Sequence, residues 1–439
     1  MSCEPGHLPP LQGAFRHAGS GRAPDSGARW LNGPLLPASP TAHAPHFVVR
    51  LLLMAAVMSG AAGPLVAQDS PADYIALIEG VQSPNRQGLD VLTLPEVMER
   101  FGVPGMSVAV IRDFEVHWAR GYGIADVVTG APVDTGTLFQ AASISKPVTA
   151  MAALTAVQEG LFTLDDDINS ILRSWSLPGR GFTDDRPVTP RLLFSHTSGL
   201  GDGHGFPGYA PDAPRPTPVQ IFEGDGPSNV GPVELVRAPL TAMHYSGGGT
   251  TIMQLALTDA RGESFPDLMR RTVLAPVGMT RSTFEHPLPP ALDVNAARGH
   301  RGDGLPMGLE KWHAYAALAA AGLWTTPTDL AGFAIEVQKA ARGDPDRVLS
   351  RASAQEMLSP VGVGSYAVGF HIEQRGEGWY FNHSGGNWGF VCYLTAHRAK
   401  GYGVVVMANS SGGGGLYREV LERVERAYGW DSLDKPVLR

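Results

Sequence analysis

Ser143 and Lys146 stand three residues apart in Ser143-Ile-Ser-Lys146, and a hydroxyl with an amine in reach is equipment for nucleophilic catalysis through a covalent acyl intermediate. They open a segment, Thr137–Gly160, in which Val148, Met151, Ala152, Leu154, Thr155 and Val157 recur at helical spacing until Gly160 stops the run. Residues i and i+3 share a helix face, so the two side chains can meet. A helix N-terminus also turns free backbone N–H groups and a positive dipole end toward a developing oxyanion. Pro147 is no obstacle, because proline is tolerated in a first turn. The spacing alone is weak evidence. Ser432-Leu-Asp-Lys435 repeats it in a tail with no helix after it, and a helix cap beside a surface lysine is the plain structural alternative.

The elements that must position this pair follow from periodicity. Ser70–Arg100 reads as helical, with Leu89, Leu92, Val97 and Met98 as apolar markers. Gly105–Ile111 and Glu115–Tyr122 read as a hairpin. A short helix is expected within Asp165–Trp175, and helical spacing returns at Thr250–Ala260, Phe265–Leu274, Tyr315–Leu323 and Asp329–Ala341. Between them Gly201–Pro239, crowded with Pro, Gly and Asp, is long enough to be a functional loop. Strand patterns close the chain at Tyr366–Gln374, Trp379–His383, Gly389–Ala396 and Gly403–Asn409, before a last helix at Leu416–Tyr428. Strands at both ends and helices between them predict an α/β chain of the α+β type. The N- and C-terminal strands would pair in one antiparallel sheet flanked by the first and last helices, and a mainly helical second lobe over roughly 160–320 would be inserted between the sheet halves.

Composition narrows the function classes. A net charge of −8 with dispersed charges excludes a basic nucleic-acid surface. The two cysteines, Cys3 and Cys392, rule out a disulfide framework, and Cys392 reads as a small apolar residue inside a strand. Residues 1–46 are rich in Pro, Gly, Ser and Ala and read as disordered or as an extension upstream of the true start. Residues 47–67 follow with Arg50, the apolar run Leu51–Met58 and small residues to Ala67, the pattern of a secretory signal cleaved after Ala67. An uncleaved anchor is the alternative, since the whole apolar stretch approaches the ~20 residues that span a bilayer. Residues 68–439 are then one exported catalytic domain, secreted or periplasmic, with no membrane contact beyond such an anchor.

Six segments in order carry a resemblance. Phe139–Ala150 resembles the nucleophile motif of serine β-lactamases and penicillin-binding proteins. Leu192-Leu-Phe-Ser-His-Thr-Ser-Gly-Leu200 resembles a landmark of the branch holding class C β-lactamases, D-aminopeptidases and family VIII-type esterases. His244-Tyr-Ser-Gly247 falls at that branch's Tyr-x-Asn position, and Leu274–Met279, Ala321–Leu330 and His383-Ser-Gly-Gly386 follow. The likeness covers Val103 to Asn409 and implies a β-lactamase/transpeptidase-like fold that needs no cofactor or metal. It implies that Ser143 attacks a carbonyl and that Lys146 is kept partly neutral or stabilises the alkoxide, at a cost of about 3–5 kcal/mol if its pKa must reach 7. Tyr245 would take the serine proton and pass it to the leaving group, which a phenol does only beside a cation. The backbone N–H groups of Ser143 and Gly386 would form the oxyanion hole. His383, Ser384, Gly385, Gly247 and Trp388 would contact substrate, with Trp388 either walling the acyl pocket or serving as a core aromatic.

Two departures bear on the substrate. Gly247 replaces the asparagine whose amide would hold a substrate amide, and His383 replaces a lysine, exchanging a fixed charge for an imidazole near 6.5. Both weaken capture of β-lactams and D-Ala-D-Ala peptides. The resemblance therefore implies a serine hydrolase of small esters, amides or peptides. A β-lactamase or D,D-peptidase is the alternative, and a catalytically silent binding homologue is the third reading, disfavoured by the intact Ser143, Lys146 and Tyr245. His196 is expected to structure its loop by hydrogen bonds. His204 with Asp202, and His300 with Asp303, lack zinc geometry, and Gly412–Gly415 reads as a turn before the last helix. Oligomeric state is open.

Overall fold

The computed structural model describes residues 70–82, 88–202, 205–345 and 347–433. The segments 1–46 and 47–67, together with Cys3, His204 and Lys435, lie outside the described residues. A seven-stranded antiparallel sheet forms the scaffold, in the order β3-β2-β1-β9-β8-β7-β6. Its strands are β1 (Gly105–Arg112), β2 (Glu115–Asp126), β3 (Ala131–Pro132), β6 (His371–Arg375), β7 (Gly378–Asn387), β8 (Phe390–His397) and β9 (Gly403–Ala408). Strands from the two ends of the chain meet at β1 and β9, with Val108 opposite Val406 and Met106 opposite Ala408. The expected pairing of N- and C-terminal strands is therefore present.

The strands β1 and β9 read as unbroken apolar runs because both of their faces are covered. Val108, Val110, Val404 and Val406 pack under the helices Pro71–Glu79, Leu94–Arg100 and Gly413–Tyr428, against Ile78, Val97, Leu416 and Val420. The alternate residues Ala109, Ile111, Val405 and Met407 face the other core, with Leu330, Phe333 and Val337 of helix Pro327–Arg342. Alternation at period two sends successive side chains to opposite layers.

Four expectations change. Ser70–Arg100 is two helices, because a second start signal interrupts it: Thr93-Leu-Pro-Glu96 is a capping box with proline in its first turn. Tyr315–Leu323 is helical only over Leu318–Ala321, and Tyr366–Gln374 becomes a strand only at His371. Gly413–Gly415 belong to the last helix rather than to a turn before it. A Cβ on Gly415 would lie 2.1 Å from the Phe101 ring, so glycine permits the helix start to press on that residue.

Candidate active site

The segment Thr137–Gly160 is not one helix. Phe139–Gln140 forms β4, paired with Trp324–Thr325 (β5), and a 3-10 turn over Ala142–Ile144 carries Ser143 before the helix Ser145–Gln158 begins. Ala142 opens that turn at φ 49°, a sparsely populated value for a residue with a Cβ. Neighbours over-determine it. Ser145 Oγ donates to Ala142 O at 2.6 Å and accepts from the Leu323 N–H at 2.9 Å. The Ala141 N–H donates to Leu323 O, and the Cys392 thiol donates to Ala141 O at 2.9 Å. Cys392 is thus a buried strand residue whose thiol also holds the turn that carries Ser143. On the adjoining strand, a Cβ at Gly385 would sit 2.2 Å from Ala141 O, so only glycine lets β7 run this close.

Lys146, 2% exposed, lies one turn further along. Its Nζ donates to Ser143 Oγ at 3.1 Å and to Ala320 O at 2.9 Å. Desolvation lowers its pKa to about 7, against a weaker upward pull from the Asp202 carboxylate. An amine poised near neutrality beside a hydroxyl is equipped to accept its proton.

Tyr245 immediately precedes Ser246, the N-cap of helix Gly247–Arg261. The Lys146 ammonium lies 5.0 Å from its ring centroid. Burial pushes the phenol well above its usual value, partly offset by a hydrogen bond with Ser143. The resting phenol is therefore protonated at neutral pH. The ring packs on His196 at 4.2 Å between centroids, tilted by 34°. His196, at φ 59°, accepts from the Ser246 N–H through Nδ1 at 3.2 Å, which leaves the neutral ring's proton on Nε2. Its carbonyl accepts from the His244 N–H, so this histidine organises its own loop and the one carrying Tyr245.

His383 on β7 is 2% exposed and 6.1 Å from Tyr245 between centroids. Burial, with the neighbouring Lys146 second, lowers its pKa to about 3, and its Nδ1–H donates to Ser384 O at 2.7 Å. The expected lack of a fixed charge at this position is kept and deepened: burial holds His383 neutral, its pKa below the ordinary value near 6.5. Ser384 and Gly386 are exposed, and Gly386 stands opposite Val391 near the end of β7. Position 247 faces an aromatic residue, since a Cβ there would lie 2.9 Å from Phe206 Cε2. Trp388 lies beyond the strand end and stacks on His313 at 4.1 Å, while its N–H donates to Tyr315 Oη.

The structure brings Ser143, Lys146, Tyr245 and His383 together and adds residues the sequence did not single out. Asn387 donates to Gln140 Oε1 at 2.8 Å and to Ala321 O at 3.0 Å, tying the end of β7 to the segment that leads into Ser143. Tyr366 packs its ring on His196, Tyr245 and His383. No sequence period marks either residue. The His300 Nδ1–H donates to the Asn409 carbonyl at 2.8 Å, and Asp303 pairs with Arg301. Among the described residues no three His, Cys, Asp or Glu side chains gather as a metal site.

The family description Beta-lactamase matches residues 93–428. The chain belongs to the beta-lactamase family. Within it, the chain is 28% identical to penicillin-binding protein 4 of Amycolatopsis lactamdurans over 341 residues, 73% of this chain and 85% of that one. It is 23% identical to the protein flp of Staphylococcus aureus over 321 residues, 71% of this chain, and spans 61% of that protein's length. The octameric penicillin-binding protein homologue from Pyrococcus abyssi shares the fold of this beta-lactamase-family chain, with a TM-score of 0.60 at 23% identity over 77% of this chain and 76% of that one.

Proposed function

We propose that this protein is an exported serine hydrolase that forms an acyl-enzyme on Ser143 and cleaves carboxylic esters or small amides and peptides. The observation that carries the reading is Lys146, sealed from water, brought to about 7 and placed 3.1 Å from Ser143 Oγ. Ser143 Oγ attacks the substrate carbonyl as Lys146 Nζ accepts its proton. The resulting oxyanion is held by the backbone N–H groups of Ser143 and Gly386, each worth about 2.7–4 kcal/mol. Collapse expels the alcohol or amine, protonated by Tyr245 Oη, which Lys146 re-protonates. Water then attacks the acyl carbonyl by the reverse proton path and frees Ser143.

The substrate side of the reading rests on Gly247 and His383. A neutral His383 gives no fixed charge for a substrate carboxylate, and Phe206 fills the space beside Gly247 where an amide side chain would lie. The names of the penicillin-binding relatives support a second reading, action on penicillin-like substrates. Export rests on the signal-like pattern at residues 47–67; no helix among the described residues is long and apolar enough to cross a membrane.

A fluorophosphonate probe followed by peptide mapping tests the mechanism: a single adduct on Ser143 is expected, and a label elsewhere or none defeats it. Side-by-side rates should favour p-nitrophenyl butyrate over nitrocefin, and faster nitrocefin turnover would install the penicillin reading. Substituting His383→Lys should raise the nitrocefin-to-butyrate ratio of acylation rates about tenfold, the value of one added charge contact of ~1.4 kcal/mol. A ratio that falls or stays put removes the carboxylate argument.

A further inference from the structure

We propose that Asp202 is a positioning residue of this site: its carboxylate clamps the turn that carries Tyr245 and acts as the counter-charge to Lys146. The proposal rests on the reading of Lys146 as the amine partner of Ser143. Asp202 follows the Leu192–Leu200 segment, whose Leu200 bridges to Leu235. Both of its oxygens are used. Oδ1 accepts from Ser246 Oγ at 2.5 Å and Oδ2 accepts from the Gly248 N–H at 2.7 Å. Ser246 Oγ in turn accepts from the Gly249 N–H at 2.8 Å. Two of the helix's orphan amides are therefore satisfied through one carboxylate, whose charge also suits the positive end of the helix dipole.

The approach is built into the sequence at Gly248. A Cβ there would lie 2.9 Å from Asp202 Oδ2 and 2.6 Å from Val233, so only glycine admits the carboxylate. With His196 holding the Ser246 N–H from the other side, the backbone on which Tyr245 hangs is fixed twice. Tyr245 and Ser246 are adjacent, and loss of either hold would let the phenol drift from Ser143.

The charge argument concerns the same carboxylate. Lys146 is faced by Ser143, the Tyr245 ring and His383, and the acidic side chain that acts on it is Asp202. Burial pushes the Asp202 carboxyl up, and Ser246, the Gly248 amide and His244, which face it, favour its charged form against that push. Burial works against the ammonium and Asp202 works for it. Removal of the negative charge should therefore let Lys146 lose its proton at lower pH.

The test compares Asp202→Asn, which keeps an acceptor and a donor for the clamp but no charge, with Asp202→Ala, which keeps neither. Both are checked by circular dichroism, and fluorophosphonate acylation is followed from pH 5 to 9. In the asparagine variant the acid limb should move down by roughly half a unit, about threefold more of the plateau rate at the foot of the limb. The alanine variant should share that shift and lose about tenfold in plateau rate relative to asparagine. An acid limb that is unmoved or moves upward overturns the counter-charge; equal plateaus for the two variants overturn the clamp. Titration of the Lys146 Cε signal by carbon NMR in Ser143→Ala, with and without Asp202→Asn, reads the same shift with no turnover. It decides the proposal even if the probe labels no serine, an outcome that would count against the nucleophile instead.

Discussion

Lys146→Met should abolish acylation and, in the same protein, raise the melting temperature. Methionine matches the stem of lysine but has no proton acceptor for Ser143, so the rate should fall about 10²–10⁴-fold. The stability gain has a separate origin. A lysine whose folded pKa is about 7 against about 10.4 when unfolded sets roughly 3–5 kcal/mol against folding at pH 7. Orphaning the Ala320 carbonyl, which accepts from Nζ at 2.9 Å, returns about 1–3 kcal/mol of that. The midpoints of the two ranges leave a net gain of about 2 kcal/mol.

The sign fixes the pH window. The folded pKa lies below the unfolded one, so the folded protein binds fewer protons between about 7 and 10.4 and the wild type gains stability as pH rises through that window. The burden is complete below 7 and gone above 10.4. The advantage of Lys146→Met should thus be large in melts at pH 7 and much smaller at pH 9.5. An equal advantage at both values would mean that packing, not a buried cation, is responsible, and a retained acylation burst would remove Lys146 from the mechanism.

The second large effect lies far from Ser143. Arg423→Ala should cost about 3–5 kcal/mol, because Arg423 is fully buried and every arm of its guanidinium is engaged. Nε bonds Glu419 at 2.7 Å, Nη1 reaches the carbonyls of Ile78 and Gly80, and Nη2 reaches those of Leu89 and Leu92. Truncation strands the Glu419 charge and four carbonyls in a dry layer. Lysine cannot repair this, since one ammonium cannot reproduce the planar fork. Denaturant unfolding measures the loss, and hydrogen exchange should show Pro71–Glu79 and Leu94–Arg100 opening first. A cost below about 1 kcal/mol would show that water reaches the pocket and replaces the fork.

Much of the scaffold was legible because its signals are local. The β1–β2 hairpin, the four C-terminal strands and the long helices each carry their own period. What the sequence hid depends on distant partners. Phe139–Gln140 continues a helical pattern, yet it pairs with Trp324–Thr325, and the break at Ala142 is imposed by Leu323, Cys392 and Gly385 together. The Thr93–Glu96 capping box was a readable signal that the helical markers of Ser70–Arg100 obscured. At the site, Ser143, Lys146, Tyr245 and His383 stood out because their types sit inside recognisable motifs. Ala320 acts through a carbonyl, Asn387 and Gln140 through amides that face each other across the chain, and Asp202 by accepting from one amide and one hydroxyl. Such roles leave no spacing to read. The electrostatics was legible for Lys146, whose motif implies a neutral amine, and hidden for His383, whose pKa is displaced this far only once it is dry.

The seam between β1 and β9 also sets a timetable for the newborn chain. The Gly105 N–H donates to Asn409 Oδ1 across a separation of 304 residues, and the Asn409 amide reaches back to Ile124 and Ala125. A ribosome releases the β1–β2 hairpin long before its neighbour exists, so one edge of β1 waits with its amides unpaired while the whole helical middle is made. Contacts of such range make folding slow. The turn that carries Ser143 waits as well, because β7, which presses on it through Gly385, is among the last strands to emerge.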